Sequence, residues 1–348
     1  MEIGIDSFAL HRLGRNVDQR TGAAESLAHL LERIERADRC GLDAVGIGEH
    51  HRPEFLDSAP ALILAAAAVR TRRVRLTSAV TVLSAVDPVR LFQQFATLDL
   101  LSQGRAEIVV GRGSATEAFP LFGLPSAQYD TRFAENLDLL LTLREQEEVH
   151  WSGKYRAPLT GQGVYPRPLQ TSLPVWLGVG GTPESFVRAG TLGLPLMVAI
   201  IGGETRQFRP LVDLYREAGQ RAGHPPERLR VGLHSPGYIA FSLEEAADDY
   251  YPGYAHMVDT LGAERGWPPS TMAQFEAQTG PDGAFLVGEP AAVAAKIVRH
   301  AKALGGLDRV MLQMDNSGIS QAKLLRSIER LGEEVAQLVR QATGKSEV

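Results

Sequence analysis

Apolar positions along this chain fall into two rhythms that take turns. Short β-capable runs occur at Glu2 to Phe8, Ala44 to Gly48, Val74 to Leu83 and Ala106 to Gly111, and again at Pro174 to Val179, Leu194 to Ile201, Leu229 to Phe241 and Asp308 to Met314. Between them apolar residues recur every three or four positions, as in Leu27, Leu30, Leu31, Ile34 and Ala37, which is the stripe of an amphipathic helix. That helix is expected from about Glu25, after a polar loop through Gly22, and to stop before Gly41. Asp57 or Ser58 is expected to cap a helix with Pro60 in its first turn, and Asp87-Pro88 opens another that ends at Gly104.

Eight strands alternating with eight helices predict a (β/α)8 TIM barrel, an α/β fold of about 250 residues. The 348 residues leave roughly 100 for loop insertions, expected at the C-terminal face. These are placed at about 114–129, 151–172 and 243–283, the last carrying Tyr250, Tyr251, Tyr254, Trp267 and Phe275. The three tyrosines are read first as packing residues, and secondly as candidates for shaping specificity. The whole chain, 1–348, reads as a single domain. A doubly wound open sheet is the alternative, but no Gly-x-Gly-x-x-Gly turn follows the first strand.

Composition narrows the partners. The net charge is −5, with no basic block, which argues against nucleic acid. The single cysteine, Cys40, excludes an intrachain disulfide framework and suits a reducing compartment. No basic leader and no apolar run of membrane-spanning length is present, so no membrane partner and a cytoplasmic location are expected.

In such a barrel the chemistry sits at the carboxyl ends of the strands, and three stretches there carry suitable side chains. The first is Glu49-His50-His51. Alternation puts Glu49 and His51 on one side and His50 on the other, so one imidazole can serve as an acid/base in the mouth. Adjacent histidines point apart and no further ligands complete a coordination sphere, so no metal is expected. The second is Gly178-Val179-Gly180-Gly181-Thr182-Pro183-Glu184-Ser185, a glycine-rich strand-to-helix turn with Thr182 as N-cap. Such a turn can hold an anion, most naturally a phosphate, and Gly202-Gly203 on the next strand widens the same pocket. The third is Arg112, between Gly111 and Gly113, a cation with room around it. Each has a plainer reading as an ordinary loop feature. No Gly-x-Ser-x-Gly elbow and no carboxylate pair supports hydrolysis.

Taken together, Glu49-His50-His51, Leu76 to Leu83 followed by Asp87-Pro88-Val89-Arg90, Gly104-Arg105, Gly111-Arg112-Gly113, Gly178 to Thr182 and Gly193-Leu194-Pro195 resemble the bacterial luciferase-like flavin-dependent monooxygenases over almost the whole chain. The resemblance implies a barrel that binds FMN at its mouth and uses reduced flavin and dioxygen to oxygenate a small organic substrate. It implies a catalytic role for His50, with Glu49 supporting the strand end. It also implies a non-proline cis peptide at Ala79-Val80 beneath the flavin ring, and phosphate contacts from Arg112, Gly180, Gly181 and Thr182, with Gly178 and Gly202 in the same site.

Light-emitting members carry a cysteine where this chain has Gly111 and a Glu-Ser pair where it has Val179-Gly180, so bioluminescence is not expected. Reduced FMN is expected from NAD(P)H, directly or through a separate flavin reductase, and the resemblance implies a homodimer. The competing readings are a deazaflavin-dependent hydride-transfer oxidoreductase of the same fold, a non-catalytic FMN-binding flavoprotein and an unrelated phosphate-binding barrel such as an isomerase.

Overall fold

The computed structural model describes residues 1–11, 19–113, 117–266, 268–316 and 318–344. Ser114, at the start of the first expected insertion, and Trp267 lie outside the described residues. In chain order the first half comprises β1 (Glu2–Ser7), α1 (Gln19–Arg39), β2 (Ala44–Ile47), α2 (Pro60–Ala68), β3 (Arg75–Ser78), β4 (Thr81–Val82), α3 (Pro88–Ser102), β5 (Ala106–Gly111), α4 (Ala118–Leu121) and α5 (Tyr129–Glu145). The second half comprises β6 (Glu148–Trp151), β7 (Leu159–Gly163), β8 (Val175–Val179), α6 (Pro183–Thr191), β9 (Leu196–Ala199), α7 (Arg209–Arg221), β10 (Val231–Ile239), α8 (Leu243–Arg265), α9 (Met272–Thr279), β11 (Leu286–Gly288), α10 (Pro290–Ala303), β12 (Arg309–Gln313), α11 (Gln321–Arg330) and α12 (Ala336–Ala342).

Parallel pairing runs β1-β2-β3-β5-β8-β9-β10-β12 and returns to β1, which closes the barrel. All eight expected strands are present. β4 extends β3 beyond the cis peptide Ala79-Val80, and β11 adds to the end of β10. Strand residues that face outward, such as Ile3, Ile5, Val45 and Ile108, join the helices in one large core. Inward residues form a separate small cluster of Ala44, Val109, Trp176, Met197 and Met311. The interior is therefore a filled plug, as the two-residue alternation of each strand requires.

Below this plug lies a floor of charge. Arg309, fully buried, donates to Glu2 at 2.6 Å and to Glu107 at 2.6 and 3.2 Å, and Arg75 pairs with Glu107 at 3.1 Å. The Arg309 guanidinium also lies over the Trp176 ring, 4.6 Å from its centroid.

Several local expectations change. Helix α1 begins at Gln19, ahead of the start expected near Glu25, and so takes in the end of the expected loop through Gly22. Helix α2 begins at Pro60 with Ala59 at its N-cap and no side-chain cap, since Asp57 is engaged elsewhere. Helix α3 is capped as expected, Asp87 accepting from the Arg90 amide at 3.0 Å.

The 151–172 insertion, expected at the active face, reaches that rim only at its start, where Tyr155 bonds Thr131 and Arg156 bonds Asp87, the N-cap of α3. It belongs to the β6-β7 hairpin and a following strap, which connect a helix to a strand and lie along the outside of α3 and α5. Arg156 reaches Asp87 at one end of α3, and Gln170 reaches Asp99 and the Ala106 carbonyl at the other. The 243–283 segment is mostly the helices α8 and α9. Tyr250, Tyr251 and Tyr254 pack with Phe275, so their packing role holds. Among the described residues no helix is long and apolar enough to cross a membrane.

Candidate active site

The floor of the barrel mouth is made of missing side chains. Gly46, Gly111 and Gly178 face inward on β2, β5 and β8, and a Cβ on each would collide with the Ala79-Val80 segment. The distances are 2.8 Å to Ala79 Cβ from Gly46, 2.6 Å to Val80 Cγ2 from Gly111 and 2.7 Å to Val80 Cγ1 from Gly178. The three glycines form a socket that lets the cis peptide sit over the barrel interior, with Ala79 and Val80 half-buried at its surface. Gly178, expected within the phosphate turn, is thus part of the platform beneath the mouth.

Two residues of the expected anion cradle, Arg112 and Thr182, meet on the β5–β8 side. Arg112 Nη2 donates to Thr182 Oγ1 at 2.9 Å, and Nη1 donates to the exposed Asp130 at 2.5 Å. Tyr129 supports the pair, its ring 5.4 Å from the guanidinium carbon and its hydroxyl donating to the Gly113 carbonyl at 2.6 Å. Burial pushes that phenol above its usual pKa. Thr182 is the N-cap residue of α6 but its side chain makes no cap bond; Pro183, which follows, has no amide hydrogen, and the Ser185 amide donates to the Thr182 carbonyl at 3.0 Å. Gly180, Gly181 and Gly202 have open space where a Cβ would stand.

His50 follows β2, a different strand end from those that carry Arg112 and Thr182. Its backbone amide donates to Asp57 Oδ1 at 3.1 Å and its Nδ1 is 2.9 Å from Asp57 Oδ2. Phe8 and Phe55 hold the ring on two sides, at centroid distances of 4.7 and 4.5 Å. Asp57 is fully buried, which raises its carboxyl pKa, while the hydrogen bond and charge of His50 pull the other way. With Asp57 ionised, Nδ1 carries the proton and Nε2 is left for a second partner.

Glu49 and His51 share the other side, as alternation requires. Glu49 Oε2 accepts from the Val82 amide at 2.9 Å, tying β2 to the strand beyond the cis peptide. Its Oε1 meets His51 Nε2 at 3.3 Å, and this hydrogen bond raises the His51 pKa against the effect of burial. Phe122, after α4, stands edge-on to His51 at 5.0 Å, so this part of the 114–129 insertion does border the mouth. Among the described residues no group of three or more His, Cys, Asp or Glu could hold a metal.

Sequence reasoning missed a second carboxylate-paired imidazole. His234, inward on β10, has Nδ1 2.7 Å from Asp6 Oδ2 on β1. Burial alone would lower its pKa, but the Asp6 charge and hydrogen bond outweigh that and raise it. Its ring stacks beside Phe8 at 6.2 Å. The alternation of β10 shows which way residue 234 points, but no local motif links it to a residue 228 positions away.

The family model described as luciferase-like monooxygenase matches residues 1–307. The chain belongs to this family. A 4-hydroxyprotoasukamycin monooxygenase of Streptomyces nodosus subsp. asukaensis is 29% identical over 254 residues, covering 70% of this chain and 67% of the relative. An F420-dependent glucose-6-phosphate dehydrogenase of Amycolatopsis mediterranei is 34% identical over 177 residues, 47% of this chain and 51% of the relative.

Among solved structures, a monooxygenase from Streptomyces bottropensis superposes with a TM-score of 0.84 at 24% identity, covering 97% of this chain and 99% of that one. The oxygenating constituent of 3,6-diketocamphane monooxygenase from Pseudomonas putida, in complex with FMN, gives 0.76 at 21% identity, covering 97% and 98%. These two likenesses share the fold. The family includes both monooxygenases and F420-dependent oxidoreductases, and its members act on small substrates.

Proposed function

We propose that this protein is an FMN-dependent monooxygenase that uses reduced flavin and dioxygen to oxygenate a small organic substrate, without light emission. The observation that carries the reading is one platform with two different edges. The Ala79-Val80 segment is held up by three glycine sockets, with an anion cradle at one edge and an aspartate-oriented imidazole at another.

The donor set fits FMN. Arg112 and Thr182 would hold the phosphate, and the open backbone at Gly180, Gly181 and Gly202 admits a close approach. The surface pair with Asp130 would give way to a dianion. Ala79 and Val80 would support the ring from below. Bound there, reduced FMN supplies the electrons that activate dioxygen. Phe8 and Phe55 keep water from the His50 ring, Asp57 fixes its tautomer, and Nε2 holds or delivers one proton.

Reduced FMN would come from NAD(P)H, directly or through a separate reductase, and the chain would act as a homodimer. The second reading is deazaflavin-dependent hydride transfer, favoured by the F420-dependent relative and by a cradle open enough for a longer anionic tail.

The test is titration of the apo-protein with reduced FMN and with reduced deazaflavin, followed by oxygen uptake and peroxide release over a substrate panel. FMN should bind the more tightly. His50→Ala should keep FMN affinity within about threefold, lose roughly 10²–10⁴ of substrate oxygenation, and release peroxide in its place. Tighter deazaflavin binding favours the second reading. Unchanged turnover in His50→Ala, or loss of flavin with the side chain, overturns the role given to His50.

A further inference from the structure

We infer that His234 is a second functional imidazole of the mouth, a donor that receives a phenolate or enolate oxygen of the substrate. The inference rests on the mouth being the reactive site, as proposed above, and adds the chemistry of what enters it.

Strand order places the two polar edges. Arg112 and Thr182 follow β5 and β8, whereas Asp6 and His234 stand on β1 and β10, which flank β12 on the far side of the closed barrel. A cofactor anchored at the first edge leaves the second for the other reactant. Along this second edge the rings run His50, Phe8, His234, with Phe8 4.7 Å from one imidazole and 6.2 Å from the other.

The Asp6–His234 pair is more than a satisfied core contact. Asp6 is 2% exposed, and its Oδ1 has no hydrogen-bond partner among the described residues. A buried carboxylate so placed is tolerable only with a cationic or strongly donating partner, and the imidazole is the partner it has. The residues in register with His234 on the neighbouring strands are Ala199 and Met311, which offer no competing charge. Asp6 itself faces the missing side chain of Gly46, 3.0 Å from where its Cβ would lie.

With Nδ1 committed to Asp6, the Nε2–H of His234 is the free donor, on a side chain 11% exposed. Arg33, a nearby cation, is taken by Asp315 at 3.0 Å. A carboxylate-backed imidazole donor beside Phe8 suits an apolar body carrying one anionic oxygen, and it disfavours cationic substrates.

Calorimetric titration with 4-nitrophenol, at a pH where it ionises, and with 4-nitroanisole tests this, with and without FMN. The two probes share a body, but methylation removes the anion from the second. The unsubstituted protein should prefer 4-nitrophenol by roughly tenfold or more. His234→Gln should reduce that preference to about twofold or less while its thermal melt shows a folded protein. Asp6→Asn, which keeps the ring, should do the same and serves if His234→Gln does not fold.

The inference is overturned if the preference survives both substitutions, if it disappears in His50→Gln instead, or if the unsubstituted protein binds neither probe saturably. Binding without FMN separates this outcome from a failure of the flavin reading, which the flavin titrations decide alone.

Discussion

The two ends of the barrel are built on opposite principles. At the amino end, inward positions carry long charged side chains that neutralise one another: Glu2, Arg309, Glu107 and Arg75, with Trp176 beneath the guanidinium. At the carboxyl end, the corresponding positions on β2, β5 and β8 are glycines, and the nearby titratable groups keep an unspent atom. One end pairs its charges internally, with the Arg309 guanidinium bonded to both Glu2 and Glu107. The other removes bulk to seat a backbone segment and leaves donors facing outward. Within one set of strands, the inward side chains thus differ sharply between the two ends.

The largest effect is expected at the amino end. Arg309→Ala leaves Glu107, 2% exposed, without its main counter-charge, and should cost about 3–5 kcal/mol in denaturant unfolding. A loss below 1 kcal/mol would mean that the floor is not a sealed ion cluster.

At the carboxyl end, Gly111→Ala puts a Cβ 2.6 Å from a branched, short side chain that cannot swing away, and should cost about 1–3 kcal/mol and weaken FMN binding. Gly181→Ala, where nothing lies within 4 Å, should change stability by less than about 0.5 kcal/mol. Equal costs at the two positions would remove the distinction between socket and cradle.

The smallest effect concerns pH. The His51 pKa is raised in the fold by Glu49, so the contribution of that pair is fully present below the unfolded histidine value of about 6.5 and fades as pH rises through the higher folded value. Glu49→Gln should therefore cost more stability at about pH 5.5 than at about pH 8.5, by a few tenths to about 1 kcal/mol, in paired denaturation curves. A difference of the opposite sign would show that Glu49 does not raise that pKa.

What sequence reveals here follows the range of the interaction. The eight strands, the Asp87 cap and the Thr182 turn are local patterns, and the structure reproduces them. The reach of Arg112 to Thr182 spans 70 positions, yet both ends stood out because glycines surround them. The cap expected from Asp57 or Ser58 is absent, and the bond that Asp57 makes to His50 instead depends on how the chain turns back after β2. The Asp6–His234 pair and the Arg309 floor join strands at opposite ends of the sequence, where alternation gives a direction but no partner. Likewise the glycines at 46, 111 and 178 look like ordinary strand interruptions until Ala79 and Val80 are placed against them.

The most direct measurement of the central claim is a spectral titration with oxidised FMN and with riboflavin, which lacks the phosphate, repeated on Arg112→Gln. The account predicts saturable binding that favours FMN by roughly tenfold or more, with the preference falling to about twofold in Arg112→Gln. Equal binding of the two flavins, or a preference unaffected by that substitution, would contradict the placement of the phosphate between Arg112 and Thr182.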